Sequence, residues 1–272
     1  MSKRVVSIQD ISCLGQCSLT AALPVLTACG VECAVLPTAL LSTHTGPEFT
    51  RPFVRSLTED LPAIARHWAE NGITFDAIAI GYLGSRQQID LVSRFIDQFR
   101  TPKTLVLLDP VMADNGRFYS GFDMDYARSM AALCAKCDMI LPNLTEASLL
   151  LGAEPVTEGY DETFCLTLAE RLIGLGAKTV LLTGLELEPC TVSNLIYDRD
   201  SAALVSAPRL PGRFHGTGDL FASALLGRLL GGDPLPAAAG RACQFVGASI
   251  ANTAPDHRYG VSFENCLNLL MD

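Results

Sequence analysis

With 272 residues and 49% hydrophobic content, the chain is long enough to bury a large core. A net charge of −9 and an isoelectric point near 4.9 exclude the basic face that a nucleic-acid partner requires. No apolar run approaches the ~20 residues that span a bilayer, and ten cysteines without a disulfide-type context read as buried, reduced thiols. A cytoplasmic protein with no membrane and no nucleic-acid partner is the expectation.

Strand-like and helix-like patterns alternate along the chain. Val5–Gln9 reads as a strand and Ser18–Cys29 as a helix that stops at Gly30. A second strand, Glu32–Pro37, leads to the polar loop Ser42-Thr43-His44-Thr45-Gly46. Helical spacing over Leu61–Asn71 precedes the buried strand Ala77–Gly81. Gln87–Arg100 is amphipathic, Thr104–Leu108 is another buried strand, and Asp123–Cys137 is helical. Met139–Leu141 leads to Asn143, Glu162–Leu175 is a helix, and Thr179–Thr183 is a strand. Val192–Tyr197 and Ala202–Ala207 form a hairpin, after which Leu220–Leu230, Ala237–Asn252 and Ser262–Met271 are helical. Continuous apolar strands alternating with helices mean a parallel sheet covered on both faces. No linker, repeat or low-complexity tract interrupts it, so residues 1–272 are expected to form one domain.

In such sheets ligands bind beyond the C-terminal ends of the strands. Here those ends carry Asp10, His44, Tyr82, Asp109, Asn143, Thr183 and Asp219. Gly216-Thr217-Gly218-Asp219 is the most informative of these segments. Its glycines allow a tight turn, and the apolar run from Leu220 opens a helix whose first N–H groups make an anion cradle. A carboxylate facing a phosphate would repel it, so Asp219 reads either as a base for a hydroxyl attacking that phosphate or as a helix cap. Asp109-Pro110-Val111-Met112-Ala113-Asp114 offers two carboxylates, suited to a cation near phosphates or to a polar turn. Asn143-Leu144-Thr145-Glu146 offers an oxygen ligand with a supporting carboxylate, or an N-cap box. Tyr82, between Gly81 and Gly84, suits stacking on a flat ring or simple packing. His44 and His215 fall in crevice loops, whereas His67 and His257 have no such context. Neither a Walker A pattern nor a GxGxxG after a strand is present.

Together with Ser7-Ile8-Gln9, Ser42-Thr43-His44-Thr45-Gly46, Gly81-Tyr82-Leu83-Gly84-Ser85 and Asp109-Pro110-Val111-Met112, these segments resemble the vitamin B6 (pyridoxal/pyridoxamine) kinases of the ribokinase superfamily. The match is collinear over nearly the whole chain. It implies a single-domain three-layer α/β/α fold with a mainly parallel central sheet, commonly dimeric. The implied activity is transfer of the γ-phosphoryl of ATP to the 5′-hydroxyl of a B6 vitamer, with Mg²⁺ and, in many members, K⁺. By position, Asp219 is the implied base, and Gly216, Thr217 and Gly218 hold the phosphoryl charge. Tyr82 stacks the pyridine ring, with His44 and Thr45 near it. Asp109 and Glu146 serve the metal, while Asn143, Thr183, Asp114 and Tyr119 serve ATP. Two positions depart from the better-known members. Asp10 replaces a serine that touches the ring's C4 substituent, which favours pyridoxamine. Leu141 replaces a threonine near the cation site. The alternatives are a hydroxymethylpyrimidine kinase, whose members usually carry Cys at the Asp219 position, and a non-catalytic B6 or nucleotide sensor.

Overall fold

The buried run Val5, Val6 and Ile8 makes β1 (Arg4–Ser12) a central strand with both faces covered. The computed structural model describes residues 2–46, 48–254 and 257–271. Helix α1 (Leu19–Ala28) carries the chain to β2 (Glu32–Leu41), parallel to β1, and the short β3 (Val54–Ser56) adds antiparallel at the outer edge. The chain then crosses through α2 (Leu61–Glu70) to β4 (Ala77–Ile80), and through α3 (Arg86–Phe99) to β5 (Leu105–Leu108). A separate small hairpin, β6 (Ala113–Asp114) with β7 (Arg117–Phe118), follows β5. Helix α4 (Met124–Cys134) leads to β8 (Met139–Ile140), and α5 (Leu144–Leu150) and α6 (Glu162–Ile173) lead to β9 (Thr179–Leu185). The antiparallel pair β10 (Thr191–Tyr197) and β11 (Ala202–Pro208) completes the sheet. Helices α7 (Thr217–Gly231) and α8 (Leu235–Ala251) and a 3₁₀ segment, Glu264–Leu270, close the chain.

The sheet runs β11-β10-β9-β8-β5-β4-β1-β2-β3, with the six strands from β9 to β2 parallel. One face packs helices α2 to α6 around an aromatic group in which Phe95 stacks on Phe99 at 4.4 Å. The other face packs α1, α7 and α8. The chain leaves β1 toward β2 on one side and returns to β4 on the other. This reversal opens a crevice at the C-terminal ends of β1 and β4, where Asp10 stands near the end of β1 and Tyr82 just after β4. No helix among the described residues is long and apolar enough to cross a membrane, and among the described residues no cysteine is held in a disulfide.

The three-layer parallel architecture agrees with the sequence pattern, and the differences are local. Strand β2 runs through Pro37 to Leu41, four residues further than expected, because its outer neighbour β3 pairs only from Ala39 onward. That leaves the proline amide without a ladder partner to lose. Strand β3, with all its residues exposed, and the two-residue β6 and β7 lack the apolar alternation that would have marked them. The expected C-terminal helix Ser262–Met271 is instead a 3₁₀ segment.

Candidate active site

Helix α7 starts at Gly216, whose φ of 83° is left-handed, and no side chain caps it. A Cβ at Gly216 would fall 2.1 Å from the Gln16 carbonyl oxygen, so only glycine fits the turn. The first amides of α7 therefore face the crevice with the positive end of the helix dipole behind them. Asp219 lies in this first turn, partly buried, and its Oδ2 accepts the Ser18 N–H at 2.9 Å. Burial pushes its carboxyl up to about 7; the Ser18 amide opposes the shift and the Asp10 charge adds to it.

Ser18 joins the two aspartates. Its backbone is left-handed at φ 52°, its amide bonds Asp219, and its hydroxyl lowers the pKa of the nearby Asp10. Asp10 sits at a break in the β1–β2 register between Gln9 and Ile11, is 4% exposed, and also accepts the Ser12 hydroxyl at 3.2 Å. Burial raises its pKa against those two serine hydroxyls. The sequence gives Ser18 only as a helix start, because a left-handed serine leaves no composition signal.

Tyr82 follows β4, its ring 5.8 Å from Phe122. Burial, then the nearby Asp10 charge, raise its phenol pKa. The loop holding it is fixed from below by the fully buried Gln88, which the sequence reading missed. Gln88 accepts the Gly84 N–H at 2.7 Å and donates to the Thr38 carbonyl at 2.7 Å, and Thr38 Oγ1 in turn donates to the Tyr82 carbonyl at 2.9 Å. His44 is buried, and Gly46 N–H donates to its Nδ1 at 3.0 Å. Its Nε2 therefore carries the proton and donates to the Arg258 carbonyl at 3.0 Å. Burial lowers the His44 pKa and keeps the ring neutral. Thr45, beside it, is exposed. The Arg258-Tyr259-Gly260 segment was likewise missed; it reaches back to this loop, and the Tyr259 carbonyl accepts the Gln16 amide at 2.7 Å.

A second carboxylate group lies across the cradle. A Cβ on Gly218 would stand 3.6 Å from Asp109 Oδ2, so Asp109 faces the turn directly. Among the described residues no donor reaches the Asp109 carboxylate, and burial with the Glu146 and Asp219 charges holds its pKa well above the usual range. Glu146 is 3% exposed. Its Oε1 accepts the Met112 amide at 3.1 Å and the Ala113 amide at 3.5 Å, and its Oε2 accepts the Asn143 amide at 3.0 Å. Burial still raises it to about 8. Asn143 and Glu146 close a capping box on α5, and Asn143 Nδ2 donates to the Ala113 carbonyl at 2.8 Å. Glu146 thus shapes the loop after β5 through both of its oxygens. Thr183 bridges to Asn143 at the end of β9. Asp114 is exposed and bonded to Asn115; Tyr119 is 43% exposed overall, and desolvation of its phenol end, then the Glu146, Asp114, Asp109 and Asp219 charges, raise its pKa. Asp10, Tyr82 and His44 therefore line one end of the crevice, with Asp109, Glu146, Asn143 and Thr183 at the other and Asp219 on the cradle between them.

A family model described as Phosphomethylpyrimidine kinase matches residues 19–261. The pyridoxal kinase PdxY of Rubrobacter xylanophilus is 32% identical over 237 residues, covering 83% of this chain and 79% of that protein. The pyridoxal kinase of Lactobacillus plantarum superposes with a TM-score of 0.90 at 34% identity, over 99% of this chain and 96% of its own. A structure from Bacteroides thetaiotaomicron, named for a phosphomethylpyrimidine kinase and determined with pyridoxal, gives 0.93 at 38% identity over 99% and 96%.

Proposed function

The chain belongs to the phosphomethylpyrimidine kinase family, as a ribokinase-superfamily phosphotransferase of the pyridoxal kinase type, and from that premise we propose that it phosphorylates the 5′-hydroxyl of a B6 vitamer with ATP, favouring pyridoxamine. The observation carrying this reading is Asp219, a carboxylate at an uncapped helix N-terminus whose pKa of about 7 suits a general base at neutral pH. In this reading Asp219 takes the proton from the vitamer hydroxyl. The backbone of Gly216, Thr217 and Gly218 and the amides of α7 receive the developing phosphoryl charge. Tyr82 covers the ring face, with His44 and Thr45 at its edge. Asp10 meets the C4 substituent, where pyridoxamine carries a cationic aminomethyl group and pyridoxal a neutral aldehyde.

At the phosphate end the donor set fits a divalent cation. Asp109 is an uncompensated carboxylate raised by burial and the Glu146 and Asp219 charges, and Glu146 is raised by burial and the Asp114 charge. Asp109 would hold Mg²⁺ with Glu146 supporting it, and the ion would supply charge neutralisation for the transferring phosphoryl group. Asn143, Thr183, Asp114 and Tyr119 serve the ATP phosphates. Leu141, 3% exposed, brings no side-chain oxygen for K⁺. A homodimer in the cytoplasm completes the proposal. The test is ADP release with each acceptor in turn, with phosphorus NMR of the product. Pyridoxamine 5′-phosphate formed in step with ADP supports the reading. ADP release only with hydroxymethylpyrimidine transfers the site to thiamine-precursor chemistry, and none with any acceptor leaves a binding protein.

A further inference from the structure

The loop holding His44 also brings Glu48 against His215, the residue just before the cradle glycine. His215 Nε2 lies 3.0 Å from Glu48 Oε2, and the His44 and His215 rings lie tilted at 31° with centroids 4.4 Å apart. One ligand atom from each of His44, Glu48 and His215 falls within 4.8 Å of the others. Tetrahedral zinc, with bonds near 2.0–2.2 Å, spaces its ligand atoms about 3.4 Å apart, so modest side-chain rotation closes the set. Gly46 makes the convergence feasible. A Cβ there would stand 2.7 Å from His44 Nδ1 and 2.5 Å from Glu48 Oε2, so both atoms point over the same bare backbone.

The other face of His44 gives a second, independent indication. Its Nε2–H donates to the Arg258 carbonyl, the backbone support that metal-bound imidazoles habitually have and that leaves Nδ1 as the ligand atom, held among the described residues only by the Gly46 N–H. We propose that His44 Nδ1, Glu48 and His215 form a site for a divalent cation of the zinc class, with two imidazoles, one carboxylate and an open fourth position. Binding replaces the Gly46 N–H bond to Nδ1 and the Glu48–His215 pair with metal bonds. It ties the segment carrying His44 and Glu48 to the turn that opens α7. The acidic Asp109 and Glu146 pair, with oxygen donors alone, favours Mg²⁺ instead, so the two sites separate by ligand type.

The experiment titrates Zn²⁺ alone into the nucleotide-free protein against a chromogenic chelator, with excess Mg²⁺ occupying oxygen-only sites. One Zn²⁺ per chain is expected. Glu48→Gln and His215→Ala each lose at least about tenfold in affinity, the least that even an outer partner of a metal site costs, and Asp109→Asn binds as the wild type does. Both changed side chains are about one-third exposed, so the variants should fold, which circular dichroism confirms before titration. Unaltered thermal melting of His215→Asn, with the same loss of zinc, provides a second check. No stoichiometric Zn²⁺, a loss below tenfold in either variant, or a tenfold loss in Asp109→Asn would overturn the site.

Discussion

Replacing Asp219 with asparagine perturbs one charge and almost nothing else. Asn Oδ1 can still accept the Ser18 amide that Asp219 Oδ2 accepts at 2.9 Å, so the first turn of α7 keeps its anchor. General-base catalysis is worth about 10²–10⁴-fold, and kcat should fall by that order with ATP and vitamer affinities nearly unmoved. Stability should move in the opposite direction. The folded-state pKa is raised from 3.8 to about 7, so the contribution of this group is full below the ordinary carboxylate pKa and is lost as pH climbs through 7. Shifts of this size correspond to at most roughly 4 kcal/mol at alkaline pH, and solvent at a partly exposed site reduces that to about 1–2 kcal/mol. The asparagine variant escapes the loss. Its advantage in denaturant unfolding should be small at pH 5 and largest at pH 8.5. Steady-state rates across pH supply the second assay: the wild-type kcat/KM should rise through a pKa near 7, and the variant should lack that limb. A variant retaining more than about a tenth of kcat, too small a loss for a general base, or a stability difference flat with pH, would make Asp219 a structural cap.

Four further outcomes follow from the same geometry. Asp10→Ser should erase most of a roughly 10- to 100-fold preference for pyridoxamine over pyridoxal in kcat/KM, since a charge-assisted bond to the aminomethyl group is worth about 1.5–3 kcal/mol; an unchanged ratio removes Asp10 from substrate contact. Tyr82→Ala should raise the vitamer KM by about two- to tenfold through lost aromatic pairing while ATP KM holds, and equal rises in both would mean collapse of the loop. Gly216→Ala forces a Cβ to 2.1 Å from the Gln16 carbonyl oxygen at a φ of 83°. It should cost at least about 1–3 kcal/mol, seen as a lower melting temperature, with phosphoryl transfer lost too. Glu146→Gln should shift the Asp109 pKa down by removing a neighbouring charge, so Mg²⁺ titrations of the two forms should differ in their pH dependence.

The sheet and its two helical layers were legible because buried parallel strands are short continuous apolar runs, as Ala77–Ile80 and Leu105–Leu108 show. The site was legible in outline because polar residues just past such runs must project at one end of the sheet. For the Asn143–Glu146 segment the sequence left two readings open, and the structure supports the bland one without removing the other: the capping box is made, and its glutamate still faces Asp109. Asp10 is similar, bonding Ser12 locally while its charge reaches Tyr82. What the sequence hid depends on long-range approach. Ser18 links Asp10 to Asp219 only because its backbone turns left-handed. Gln88 braces the Tyr82 loop through bonds 50 residues apart in sequence. Arg258 matters through a carbonyl, which carries no side-chain signature.

A one-pot competition tests the central claim most directly. Pyridoxamine, pyridoxal and hydroxymethylpyrimidine at equal concentration share the enzyme with ATP and Mg²⁺, and early products are separated and counted, giving ratios of kcat/KM free of differences between assays. Pyridoxamine 5′-phosphate should dominate, with pyridoxal 5′-phosphate second. Preferential phosphorylation of hydroxymethylpyrimidine would contradict the assignment of this site to a B6 vitamer.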